Sequence, residues 1–145
     1  MMEWQQLKNN VSMATVKSGD SIEQAMIELC QHIKSRVIPS NAGIDWDYLR
    51  VEFWPDSGRV IVFPSSSSNS DRIETAGCQV VFGTLLVEYE RLADSDLDDN
   101  AFVDALLQEE RMWIERFLDS ARKTGLSGNH IQFWDGERCI SDAQI

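Results

Sequence analysis

The chain is poor in the residues that usually specify a reaction. In 145 residues it holds two histidines, His32 and His130, and three cysteines, Cys30, Cys78 and Cys139. Neither histidine stands beside a serine in a G-x-S-x-G elbow, and neither a P-loop nor a GxGxxG run occurs. A Ser/His/Asp hydrolase and a phosphate cradle therefore have no support. The cysteines are odd in number, lie far apart and share no CxxC spacing, so no disulfide framework or zinc site is expected. Cys30 and His32, two apart on a helix, point in different directions and make a poor metal or catalytic pair. Basic residues are also scarce: 13 Lys and Arg face 24 Asp and Glu, a net charge of −11. That balance repels nucleic acid and anionic membrane and favours a basic partner. No eighteen uncharged apolar residues run together and the first residues contain no apolar h-region, so neither a membrane span nor a signal peptide is expected. The expected compartment is a reducing cytoplasm, and no metal or cofactor is expected.

What is present suffices for one domain with its own core: 43% hydrophobic content and five tryptophans. The strongest signal is a helix after the acids Asp94, Asp96, Asp98 and Asp99. Phe102, Val103, Leu106, Leu107, Trp113, Ile114, Phe117, Leu118 and Ala121 share one broad face, with Asp104, Arg111, Glu115 and Asp119 opposite. Asp98 or Asp96 suits its N-cap, Arg122 and Lys123 its last turn, and Gly125 a left-handed stop. A second helix is predicted from Ser21 to Arg36, capped by Asp20 or Ser21 and stopped by Pro39. From Tyr48 the period falls to two, and Leu49, Val51 and Phe53 lead through Pro55-Asp-Ser-Gly58 into Arg59–Phe63, a β-hairpin. His130–Trp134, Asp135-Gly136 and the following residues echo that order, so a second hairpin is expected. The first eighteen residues read as an edge strand or an ordered arm, and Ser65–Asp71 as a polar, mobile loop. The segment Ile73–Leu92 is ambiguous between a buried strand and a helix; Val81, Leu85, Tyr89 and Leu92 keep helical spacing, so helix is the choice, with Gly83 marking a close backbone approach. The fold class is α+β: a small antiparallel sheet of two hairpins with about three helices on one face.

Charge singles out one region. From Glu88 to Asp119 eleven acids face three basic residues, a balance of −8 within 32 residues. Asp94, Asp96 and Asp98 begin like a calcium loop, but Asp99 stands where that loop needs Gly and Ala105 where it needs Glu, so a helix-start acid cluster is the better reading. The candidate partner-binding residues are Glu88, Asp94, Asp96, Asp98, Asp99, Asp104, Glu115 and Asp119, with Trp54 and Trp134 of the hairpins as exposed aromatics. A solvated face that only confers solubility is the competing reading. Glu110 is different, because it falls near the middle of the apolar arc, where an ionised carboxylate is costly to bury. Either Arg50, Arg59 or an indole N–H reaches it, or the position opens into a cleft and the carboxylate is functional.

A small acidic chain with a Ser-rich loop, Phe-Trp hairpin turns and a strongly acidic helical half resembles the immunity proteins of bacterial polymorphic-toxin and contact-dependent-inhibition systems. The resemblance is one of type, in composition and layout. It implies a cytoplasmic, non-enzymatic protein that binds a cognate toxin domain, often a basic nuclease, with the acidic cluster mimicking phosphate. An acidic adaptor and a small enzyme with an enclosed pocket of convergent titratable groups are the alternatives.

Overall fold

The computed structural model describes residues 4–8, 11–16, 21–66, 75–81, 83–126, 128–136 and 138–145. Seven strands form one sheet in the order β1 (Trp4–Lys8), β2 (Val11–Val16), β5 (Thr75–Val81), β4 (Arg59–Ser65), β3 (Tyr48–Trp54), β6 (His130–Asp135) and β7 (Arg138–Gln144). The class is α+β, but the sheet is larger than two hairpins and it is mixed: β2 runs parallel to β5, and β3 parallel to β6. Two long connections enforce this. One leads from β2 through α1 (Ile22–His32) to β3, the other from β5 through α3 (Gly83–Ala93) and α4 (Asp99–Thr124) to β6. Each moves three positions in the same direction across the sheet. The right-handed rule for such crossovers puts their helices on one face, where α1 packs on α4.

The strands alternate accordingly. Leu49, Val51 and Phe53 of β3, Val60 and Val62 of β4, Cys78 and Val80 of β5, and Ile131 and Phe133 of β6 meet the helices. Phe53 packs edge-on to Trp113 with ring centres 5.6 Å apart, and Phe117 edge-on to Phe133 at 5.5 Å. The opposite face carries Arg50, Glu52 and Trp54 and a second cluster of Met13, Ile61 and Phe63. Gly77 lies in β5 between these neighbours. A Cβ there would stand 2.5 Å from the Val62 carbonyl oxygen and 2.8 Å from Phe63 Cβ, so the close approach of β4 requires glycine.

Local signals place most of the elements. Ser21 caps α1 by accepting from Gln24 N, Asp98 caps α4 by accepting from Ala101 N, and Gly125 ends α4 at φ 77°. Lys34 donates to the Thr124 carbonyl at that same end (3.1 Å). Pro39 does not stop the first helix. The chain widens into a π-helical stretch, Ile33–Val37, and closes with α2, Ile38–Ser40. The wider turn gives the proline ring room that an α-helix interior would deny it. Asn41 then ends the helix; its buried side chain donates to Val37 O and Ala76 O and accepts from Ala76 N, tying it to β5.

A further departure from the sequence expectation lies before α3. Thr75–Val81 is strand, not the first turns of a helix, because it is paired on both sides, to β2 and β4. The helical spacing begins at Val81, and only Gly83–Ala93 is helix, with Gly83 opening it. The N-terminal part forms two paired strands. Ser65 belongs to β4 and is buried with Ser66; the remainder of the expected polar loop, with Asp71, lies outside the described residues, as do Asp20 and Ile73.

Candidate functional site

The site grows from the parallel pair at the sheet centre. β3 and β6 run side by side in register, with Phe53 opposite Asp135. At their carboxyl ends the chain turns away in opposite directions, through Pro55–Ser57 into β4 and through Gly136 into β7. Adjacent parallel strands whose continuations diverge leave a crevice between the two turns. The turns are held level by a hydrogen bond from Gly136 N to Phe53 O, 3.0 Å. Tyr89 from α3 and Phe102 and Leu106 from α4 cover the crevice, with Tyr89 edge-on to Phe102 at 5.9 Å. The result is a cavity of about 250 Å³ with apolar walls and two acids, Asp56 and Asp135, on its lining.

Glu110 stands one helical turn beyond Leu106. It is 1% exposed, and neither carboxyl oxygen has a hydrogen bond of good geometry. Burial, then the nearby Asp135 carboxyl, push its pKa up to about 8, with Arg138 pulling the other way. At neutral pH the Glu110 carboxyl is therefore mostly neutral. Arg138 reaches Asp135 only at 3.9 Å and is itself well exposed. The arginines expected to answer Glu110 do not. Arg50 Nε donates to Glu52 Oε2 at 2.6 Å with its guanidinium over the Trp134 ring, and Arg59 donates to Ser57.

The acidic candidates do not form one patch. Asp94, Asp96, Asp98, Asp99 and Asp104 are exposed around the α3–α4 junction together with Glu90. Glu115 and Asp119 lie farther along α4, and Asp104 to Glu115 is about 16 Å of helix rise. There the surface is mixed: Arg111 and Arg116 line a shallow depression with Glu115 and Asp119, and Asp119 pairs with Arg122 at 3.3 Å. Glu88 is engaged by Arg91 (2.9 Å), which also reaches Glu109 at 3.7 Å and so ties α3 to α4. Val103, expected on the apolar face, is 47% exposed, while Phe102 and Leu106 of the same part of α4 line the crevice. Trp54 and Trp134 are half-buried, not freely exposed. Trp54 donates to Glu52 at 3.0 Å and lines the cavity, and Trp134 donates to Gln132.

Other chemistry is thin. Burial pushes the Cys30 thiol up to about 12 and Cys78 further, which leaves neither a thiolate. Among the described residues no group of three or more His, Cys, Asp or Glu side chains has metal-binding geometry, and no helix is long and apolar enough to cross a membrane. Sequence reasoning passed over Asp135, Asp56 and Tyr89. The available signal was the echo between the two Phe-Trp turns, which the fold sets side by side. Comparison of the chain with models of protein families, with curated proteins and with solved structures finds no match in any of the three.

Proposed function

We propose that the chain is a non-catalytic inhibitor of the immunity type, which binds a basic protein, such as a cognate toxin domain, through the acidic α3–α4 edge. The observation that carries this reading is the set of exposed acids at that junction. Glu90, Asp94, Asp96, Asp99 and Asp104 have no ion-pair partner among the described residues, whereas Glu88, Glu109 and Asp119 do. Unpaired like charges in a tight group repel one another in the isolated protein, and a basic surface relieves that repulsion while steering encounter. The balance of the whole chain, −11, points the same way. The test is association with the product of the adjacent upstream gene, measured against salt. Asp98 caps α4, so the charge reversals are best made at Asp94, Asp96 and Asp104. Together, converted to Lys, they should slow association by at least about tenfold at low salt and flatten its salt dependence. Unchanged association with the fold intact would place the contact elsewhere.

One observation favours a second reading. A neutral Glu110 beside the Asp135 carboxyl is the arrangement that general acid–base catalysis uses. Against it stand the small cavity, below the usual 300–1,000 Å³ of ligand sites, and a lining without serine, cysteine or histidine. Turnover of any ester, glycoside or phosphate substrate that is abolished by Glu110→Gln would establish the enzyme reading.

A further inference from the structure

The crevice between the twin turns is more specific than the acidic edge around it. Three features converge there. Its walls are aromatic and aliphatic: Phe53, Tyr89, Phe102 and Leu106. Its polar lining is acidic: Asp56 and Asp135. Next to Asp135, Glu110 is buried with that second carboxyl as its side-chain contact and no hydrogen bond of good geometry to either oxygen. An apolar shaft that ends in carboxyls complements one kind of group, a cation on an aliphatic stem. The acids repel an anion, and a purely apolar group would bury the lining carboxyls Asp56 and Asp135 without answering them. The volume, about 250 Å³, suits one long side chain better than a cofactor-sized ligand.

We propose that this crevice receives a single arginine or lysine side chain of the basic partner, with its stem against Tyr89, Phe102 and Leu106 and its charged head between Asp135 and Glu110. The inference deepens the reading of a basic partner and rests on it. Arginine is the better fit. Its planar donor fork addresses two carboxyls at once, and its guanidinium tolerates the aromatic walls as a cation–π contact. The head group displaces Arg138, which at 3.9 Å holds Asp135 only loosely. The acidic edge, from Asp94 to Asp104, then steers the partner, and the crevice holds it. A buried charge pair at the centre of a contact governs dissociation, whereas rim charges govern association.

N-acetyl-arginine amide is the probe, with the neutral isostere N-acetyl-citrulline amide as control. Binding is followed by NMR on the Trp54, Tyr89 and Phe102 rings of the intact chain. The expected result is a saturable shift of these rings with a dissociation constant on the order of 1 mM for the arginine compound. No saturable shift is expected for citrulline. Asp135→Asn should weaken the arginine response about tenfold, the loss of one charge-assisted contact. Phe102→Trp, which narrows the shaft without touching charge, should weaken it too and serves if the first variant does not fold. Equal responses to the two compounds, shifts confined to other residues, or an arginine response untouched by both substitutions would overturn the proposal. The partner complex separates this failure from failure of the wider reading. Partner binding that is lost on reversing Asp94, Asp96 and Asp104 but unaltered by Asp135→Asn would remove the crevice and keep the basic partner. Saturable arginine uptake by a protein whose partner ignores the acidic edge would keep the crevice and remove the edge.

Discussion

Glu52 and Glu110 are hidden from solvent to the same degree, at 0% and 1% exposure, yet they are treated in opposite ways. Glu52 lies on the helix-free face of the sheet. Arg50 donates to one of its oxygens at 2.6 Å and the Trp54 indole to the other at 3.0 Å, and the Arg50 guanidinium lies 3.5 Å from the centre of the Trp134 ring. Both of its oxygens are answered by donors. Glu110 lies on α4, beside Asp135 at the carboxyl end of the β3–β6 pair. Its side-chain contact is a second carboxyl, Asp135, and not a cation or indole, and it is accommodated by keeping its proton. The difference teaches how to sort buried acids: a satisfied one fixes the structure, and an unsatisfied one beside a cavity is a place held for something else.

The contrast can be broken at its structural end first. Arg50→Ala should leave Glu52 buried and short of its countercharge and cost about 3–5 kcal/mol in urea unfolding. A loss below about 1 kcal/mol would mean that Glu52 is no more anchored than Glu110. At the other end, pH is the lever. Glu110 has a pKa of about 8 when folded against an ordinary 4.5. Below 4.5 the carboxyl is protonated in both states. Between 4.5 and 8 only the unfolded chain releases the proton, so the stability this group contributes falls by about 1.4 kcal/mol per pH unit. Above 8 that contribution is gone. Glu110→Gln should abolish this fall and leave a protein at least as stable at pH 7.5, and an unaltered pH profile in the variant would refute the assignment. The smallest effect belongs to an exposed but satisfied acid. Asp98→Ala should lower stability by about 1 kcal/mol through loss of the bond to Ala101 N, and calorimetry showing no change would remove the cap.

Much of the fold was legible because its signals are local. The caps at Ser21 and Asp98, the Gly125 stop, and the alternation of Leu49, Val51 and Phe53 about the Pro55–Gly58 turn each need only neighbours in sequence. What was not legible depends on distant pairing. The helical spacing read for Ile73–Leu92 begins only at Val81, and Thr75–Val81 is strand, flanked by β2 and β4. The parallel β3–β6 pair joins residues some eighty positions apart, and no periodicity encodes it. The site divides in the same way. Glu110 could be singled out, since a carboxylate in an apolar arc is a local conflict. Asp135, Asp56 and Tyr89 could not, because each is unremarkable in its own segment and acquires a role only where the two turns and α3 meet.

The central claim, that Glu110 is an unanswered carboxyl kept beside a cation-binding crevice, is tested most directly by the side-chain carboxyl titration of Glu110 in ¹³C-labelled protein, with and without N-acetyl-arginine amide. The account predicts a midpoint near 8 in the free protein. With the arginine compound bound, the midpoint should fall by about one unit or more, because a cation beside the carboxyl favours its charged form. A midpoint at the ordinary 4.5, or one near 8 that saturating arginine amide does not move, would contradict it.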